Sequence, residues 1–162
     1  MKLYCGRYMA ISASLFLICC AGGSAPAASD TAAMDASGRL QPCPSSPNCV
    51  STLAQDTDHH MTPLPYRIDR ATSRRLLLAV INAMPRSTLV VEEEHYLHFE
   101  FRSRVFGFVD DVEFVFDDGA SLIQFRSASR TGYSDFGVNR RRMTTISEAY
   151  HKAPFDAADN LS

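Results

Sequence analysis

The hydrophobic positions follow a helical period first and a strand period afterwards. Between positions 70 and 84 the apolar residues recur at i, i+3, i+4 and i+7, namely Leu77, Val80, Ile81 and Met84. This spacing predicts an amphipathic helix. Asp69 is placed to cap its start and Pro85 to stop it. From position 87 the period shortens to two, which predicts strands over residues 87–92, 96–102, 106–116 and 121–130.

A second helical stripe follows the strands. Met143, Ile146 and Tyr150 predict a helix over about residues 139–151, and Asp135 or Asn139 is placed to cap it. The short links between the four strands favour an antiparallel meander. We therefore predict an α+β fold, a single domain in which two helices pack on one face of an antiparallel sheet of about four or five strands.

The start of the chain has the composition of a processing signal. Lys2 and Arg7 precede a mostly apolar run over residues 9–20, and small residues follow it. The run is shorter than the roughly 20 residues that span a bilayer. We expect an exported protein, with a signal over residues 1–20, a flexible tether over 21–41, the folded domain over 42–152 and a disordered tail over 153–162.

Two modes of signal processing fit the sequence. The segment Leu17-Ile18-Cys19-Cys20 resembles a bacterial lipobox, in which the final Cys carries a lipid that holds the protein at a membrane surface. Ordinary cleavage after Ala25-Pro26-Ala27 would instead release a soluble protein. We therefore expect the protein in the periplasm, or anchored to a membrane of the cell envelope through Cys20 as the candidate lipid anchor.

Two cysteines remain once the signal is set aside. Cys43 and Cys49 flank a short proline-rich loop, and an oxidising compartment favours a disulfide between them. Such a small loop would stabilise the fold by roughly 2 kcal/mol. The rival interpretation, a metal site, needs two further ligands, and His59 and His60 are adjacent rather than at ligand spacing. We expect neither a metal nor a cofactor.

Three stretches together resemble the bacterial and plastid family called domain of unknown function 1499. They are CPSSPNCVS over residues 43–51, GFVDDVEF over 107–114, and RSASR over 126–130 running into GYSDFGVNRRR over 132–142. The resemblance extends over about residues 42–150. It implies a small exported or membrane-associated domain with no assigned activity, and it brings no catalytic residue with it.

Charges are segregated along the domain. Nine acidic residues lie between positions 92 and 118, whereas five arginines lie between 123 and 142. If these blocks occupy neighbouring strands, they pair with each other. Alternatively, the arginines line a pocket for an anionic ligand, since the guanidinium fork suits carboxylate and phosphate.

Asp110 stands out because of its predicted orientation. Alternation places it on the apolar face of its strand and turns Asp111 and Glu113 outward. A buried carboxylate needs a partner, and we expect Asp110 to contact residues 126–139 through side-chain or backbone hydrogen bonds. The residues that could meet it are Arg126, Ser127 and Ser129. Asp110 is then either part of a buried structural clasp or a catalytic carboxylate.

Several function classes lack support in the sequence. Nucleophile, phosphate-loop and dinucleotide motifs are missing from it. The net charge of −2, which becomes −4 without Lys2 and Arg7, disfavours nucleic acid as a partner.

We expect a non-catalytic module that binds a small anionic or lipid-like ligand or an envelope protein partner. The alternative is a hydrolase-type enzyme that uses Asp110, Ser127 or Ser129, and Arg130. The candidate ligand-binding residues are Asp110, Arg126, Ser127, Ser129, Arg130, Tyr133, Asp135, Asn139, Arg140 and Arg141.

Overall fold

The computed structural model describes Met34 and residues 38–154. The expected signal, its cleavage sites, Cys20, most of the expected tether and most of the expected tail lie outside the described residues. The elements are β1 (Cys49–Ser51), β2 (Leu64–Pro65), α1 (Arg70–Asn82), β3 (Ser87–Glu92), β4 (Tyr96–Arg102), β5 (Val109–Asp117), β6 (Leu122–Ser129) and α2 (Val138–Lys152).

The strands form one antiparallel sheet in the order β1-β6-β5-β4-β3, and β2 also pairs with β6. The four long strands follow one another as the predicted meander. Val, Phe and Ile recur at every second position of these strands. Because a period of two places every second side chain on the same face, each strand presents one apolar face. The short strands β1 and β2 extend the sheet beyond the predicted set.

The core lies between one face of the sheet and both helices. From the sheet, Phe99, Phe114 and Phe125 are completely buried. The helices cover them with Leu77 and Ile81 of α1 and with Met143, Ile146 and Tyr150 of α2, all of which belong to the same cluster. Each large apolar side chain buried in this way contributes about 1.5–3 kcal/mol. The predicted α+β fold, with two helices on one face, is confirmed.

Both helices begin with a carboxylate cap. Asp69 accepts a hydrogen bond from the Thr72 N–H at 2.7 Å, as predicted for α1. At the start of α2, the Asp135 carboxylate accepts from the Gly137 N–H at 2.8 Å and from the Asn139 N–H at 2.7 Å. These bonds satisfy amides that have no partner inside a helix.

Two details of the sheet differ from the predictions. Strand β5 begins at Val109 rather than at residue 106, because Gly107 adopts a φ of +67° that ends the extended conformation. Glu113 lies on the face opposite the core, as predicted, but it is completely buried there among the polar side chains of neighbouring strands.

A disulfide joins Cys43 to Cys49, as predicted. Cys49 lies in β1 opposite Ala128 of β6, so the bridge fastens the loop over residues 43–49 to the edge of the sheet. Within residues 38–154, neither helix is long and apolar enough to cross a membrane.

Candidate functional site

Asp110 forms an ion pair with Arg142 inside the domain. The Arg142 Nη2 donates to Asp110 Oδ2 at 2.5 Å, and only 6% of Asp110 is exposed. The Arg142 guanidinium also lies over the Phe101 ring, 4.7 Å from its centroid, a cation–π geometry. Arg142 lies three residues beyond the segment 126–139, with which we expected Asp110 to form side-chain or backbone hydrogen bonds. Asp110 does lie opposite Ser129 in the β5–β6 ladder.

Asn139 extends this ion pair into a buried network that we call the Asp110 clasp: Asp110, Arg142, Ser127, Asn139, Asn48 and Ser129. The Ser127 hydroxyl and Arg142 Nη1 both donate to Asn139 Oδ1, each at 2.6 Å. Asn139 Nδ2 donates to the Asn48 carbonyl at 3.0 Å and to Ser129 Oγ at 3.1 Å. The clasp therefore joins the loop before β1, strands β5 and β6, and helix α2.

The hydrogen-bond partners of Ser127 do not include a general base. Ser127 and Asn139 are completely buried. The Ser127 hydroxyl donates to an amide oxygen and accepts from a guanidinium at 3.3 Å, and neither group is a general base. A hydroxyl without an adjacent base is a weak nucleophile.

The face of the sheet that carries no helix holds the other expected arginines. Glu113 accepts from the Tyr96 hydroxyl at 2.6 Å and from Arg126 at 3.2 Å. Beside it, the Asp111 carboxylate accepts hydrogen bonds from His98 at 2.7 Å and from Arg130 at 2.8 Å. Acidic and basic blocks on neighbouring strands therefore pair with each other, which is the first of the two arrangements that the charge segregation suggested. Arg126 and Arg130 lie away from Asp110.

These pairs change the acidities of the groups on that face. Burial alone would raise the pKa of the Asp111 carboxyl, but hydrogen bonds from His98 and Arg130 outweigh it and hold that pKa at about 2. Burial raises the pKa of the Tyr96 phenol, and its hydrogen bond to Glu113 raises it further. The hydrogen bond to Asp111 raises the pKa of Arg130. Asp111 and Arg130 therefore stay charged over the physiological pH range.

The remaining candidates lie near the start of α2. Arg140 donates to the Asp58 carbonyl at 2.6 Å and to the His60 carbonyl at 3.1 Å, and Arg141 donates to the Phe136 carbonyl at 2.8 Å. Tyr133 is 76% exposed. The ten candidates thus occupy three places: the Asp110 clasp, the helix-free face, and the loop before α2 together with the first turn of that helix.

Sequence reasoning missed a set of exposed apolar side chains at one end of the sheet. We call it the aromatic end: Val105, Phe106, Phe108, Tyr133, Phe136 and Val138, which are 39–86% exposed. Only Tyr133 was a candidate. The run Phe106-Gly107-Phe108 continues the alternation of the strand that follows it, and the sequence therefore predicted that the strand begins at Phe106. The glycine between two phenylalanines was the available signal of a loop.

Two concave parts of the described surface lie away from these residues. One pocket of about 490 Å³ is bordered by Leu40, Leu53, His95 and Asp118, and another of about 450 Å³ lies along residues 52–60. Neither includes a candidate residue or a residue of the aromatic end. Among the described residues, no group of three or more His, Cys, Asp or Glu side chains is arranged to hold a metal ion.

The fold and its buried clasp define a small disulfide-bonded α+β domain. The family of proteins of unknown function called DUF1499 matches this chain over residues 39–149. Because that match spans about two thirds of the sequence, the chain belongs to this family. The resemblance found in the sequence motifs is confirmed. Among curated proteins, none matches the chain.

Proposed function

We propose that this protein is a non-catalytic binding module of the cell envelope and that the aromatic end is its binding surface. The observation that carries the proposal is the exposure of six apolar side chains at one end of the domain. Contiguous exposed apolar surface on a soluble domain commonly marks an interaction site. The ligand classes that fit are a small anionic or lipid-like ligand and an envelope protein partner.

Arginines accompany the exposed apolar residues. Arg104 lies in the same loop as Phe106, and Arg141 donates to the carbonyl of Phe136. Arg102, at the end of β4, has a 57% exposed side chain. A surface that combines aromatic rings with guanidinium groups suits an anionic or amphipathic ligand.

The alternative function, a hydrolase built on Asp110, Ser127 or Ser129, and Arg130, has less support. Arg130 points to the helix-free face and pairs there with Asp111 and Glu100. Asp110 is neutralised by Arg142 in a closed junction. These groups do not share a concave space in which a substrate would bind.

Export and envelope anchoring belong to the same proposal. The basic start, the short apolar run and the Cys20 motif support a lipoprotein, which would hold the module at a membrane surface. A module held there meets envelope components at high local concentration.

Site-specific photocrosslinking in intact cells tests the binding surface. A photoreactive amino acid at Phe136 should form an adduct with an envelope component, whereas the same group at exposed Ile68 should not. The adduct at position 136 should disappear when Phe106→Asp is added, because both side chains contact the same ligand. Val90→Asp is the matched control, since Val90 is a 46% exposed apolar residue in the middle of β3. Equal adducts at 136 and 68, or an adduct unaffected by Phe106→Asp, would refute the proposal.

A further inference from the structure

We infer that the aromatic end docks onto the surface of an anionic phospholipid bilayer. This inference rests on the proposed function and names the partner of the same surface. The side chains that enter the interface are the apolar residues of two neighbouring loops, and the arginines beside them face the lipid phosphates.

Strand register brings the two loops together. Arg102 of β4 lies opposite Val109 of β5, and the Arg130 N–H after β6 donates to the Val109 carbonyl at 3.0 Å. The loop over residues 103–108 and the loop over residues 130–137 therefore leave the sheet side by side. Adjacent strands are about 4.8 Å apart, so both loop tips lie at the same end of the domain.

Local hydrogen bonds hold both loops in their exposed shapes. In the first loop, the Ser103 N–H donates to the Phe108 carbonyl at 2.8 Å and the Phe108 N–H donates to Ser103 Oγ at 2.9 Å. The rings of Phe106 and Phe108 stack with centroids 5.5 Å apart. In the second loop, Asp135 fixes the turn through the amides of Gly137 and Asn139. The apolar tips are therefore preorganised, which lowers the entropic cost of binding.

The charges at this end favour an anionic partner. Arg102 and Arg104 flank the first loop, and Arg141 lies beside the second. The acidic groups of this end are already engaged. Glu100 lies between Arg102 and Arg130, and Asp135 bonds the first amides of α2. Asp110 pairs with Arg142, and Asp111 pairs with Arg130. Each arginine near an anionic bilayer contributes about 1 kcal/mol of attraction.

The opposite end of the sheet is acidic. The β3–β4 turn carries Glu93 and Glu94. Strand β5 ends with Asp117, and Asp118 follows in the turn to β6. Arg70 pairs with Glu94 and Asp118. A domain with acidic groups at one end and arginines at the other is oriented by a negatively charged surface. The aromatic end is the one that such a surface attracts.

Shape distinguishes a bilayer from a small ligand. Small-molecule sites are concave and enclose most of the ligand, whereas the aromatic end consists of protruding loop tips, and the two pockets described above lie elsewhere. Phe and Tyr with neighbouring Arg suit the membrane–water interface, where rings enter the acyl boundary and guanidinium groups stay at the headgroups.

The chain before the domain is long enough for this orientation. Gly38 and Leu40 lie beside Asp118, near the acidic end. The nine residues of β5 extend for roughly 30 Å to the other end. Met34 is bridged to Leu40, so the free chain after the proposed anchor at Cys20 has roughly 13 residues and can extend to at most about 45 Å. That length still exceeds the length of β5, so the aromatic end can face the membrane that holds the anchor.

Vesicle co-sedimentation tests the inference. The exported chain with Cys20→Ala is used, so that an acyl anchor does not contribute. It should sediment with vesicles containing phosphatidylglycerol and much less with phosphatidylcholine alone. Phe106→Asp combined with Phe136→Asp should weaken binding by roughly tenfold or more. Val90→Asp should bind as the parent does.

Charge variants give a second readout. Arg104→Gln with Arg141→Gln should weaken binding to the anionic vesicles several-fold, and raised salt should do the same to the parent. Binding that is unaffected by these substitutions, or equal for both lipids, would overturn the inference. Circular dichroism and thermal unfolding establish that each variant is folded.

Failure of the inference and failure of the proposed function can be told apart. The chain could fail to bind either kind of vesicle and still form a Phe106-dependent protein adduct at position 136. That result would show a protein partner, so only the bilayer inference would be overturned. Binding of soluble glycerol phosphate as tightly as of vesicles would indicate a discrete headgroup site and would also overturn it. Loss of both vesicle binding and adduct would refute the proposed function as well.

Discussion

Arg142 reaches from helix α2 to Asp110 of strand β5, where its Nη2 lies 2.5 Å from Oδ2 in a junction that is almost fully shielded from solvent. The pair connects the helix layer to the sheet at the end where the aromatic loops emerge. Because buried charges need each other, the position of α2 against the sheet depends on this contact.

Asp110→Ala should lower the free energy of unfolding by roughly 3 kcal/mol or more, because the Arg142 charge stays buried without its partner. Urea denaturation measures the change. Glu148→Ala is the matched control: Glu148 pairs with Lys152 at 3.4 Å, but both side chains are more than half exposed, so the expected loss is about 0.5 kcal/mol or less. A stable Asp110→Ala protein that has lost binding of a ligand would instead assign Asp110 to a ligand site.

Ser127→Ala should cost about 1–2 kcal/mol of stability, because a buried hydroxyl is lost while Arg142 still satisfies Asn139 Oδ1. The control is Thr144→Ala, whose hydroxyl makes an exposed bond to the Arg140 carbonyl and should change stability by less than about 0.5 kcal/mol. The hydrolase alternative predicts the reverse for Ser127→Ala, namely unchanged stability with hydrolysis abolished. Thermal unfolding and turnover of ester substrates separate the two.

Cys43 and Cys49 should resist a thiol reagent in the denatured, unreduced protein and should react after reduction. Peptide mass spectrometry reports each cysteine separately. Reduction should also destabilise the fold by roughly 2 kcal/mol, since the closed loop is short. Stoichiometric labelling of these two residues without reductant would contradict the disulfide.

Cys20→Ala should move the protein from the membrane fraction to the soluble fraction after a high-salt wash, which removes proteins held by charge alone. Cys19→Ala is the matched control and should leave the protein in the membrane fraction, because the residue that carries the lipid is retained. A wild-type protein that is soluble and begins near Ala28 would refute the lipid anchor.

The sequence was sufficient for the long elements because their periods are unambiguous. Leu77 and Ile81 repeat at helical spacing, and Phe114 and Phe116 at strand spacing, so each element had one way to bury its apolar side. Strands β1 and β2 contain three and two residues. Segments of that length carry no period, and pairing with β6 rather than local pattern makes them strands.

The partner of Asp110 could not be predicted because neighbouring helix positions point in very different directions. Successive residues of a helix differ by about 100° in direction, so Arg140, Arg141 and Arg142 reach three different places. The helix starts at Val138 and packs by Met143 and Ile146, which turns Arg142 towards Asp110. That orientation follows from tertiary packing rather than from local sequence.

Asp111 should make the fold sensitive to acid. Its pKa is about 2 in the folded protein, against 3.8 for the ordinary carboxyl. Because the folded pKa is the lower one, the charged Asp111 carboxylate adds to the free energy of unfolding at neutral pH. This contribution, roughly 2 kcal/mol in total, is lost mainly as the pH falls from about 4 to about 2. Urea unfolding of the wild type at several pH values should show this loss. Asp111→Asn should be less stable at neutral pH and should lack this part of the acid dependence.

The Asp111 pKa is also directly measurable. The NMR chemical shift of its carboxyl carbon should titrate with a midpoint near 2. Arg130→Met should raise that midpoint, because one hydrogen-bond donor and one positive charge are removed while burial, which favours the neutral acid, persists. A midpoint near 4 in the wild type, unchanged by Arg130→Met, would show that the contacts of Asp111 with His98 and Arg130 do not stabilise its charged form.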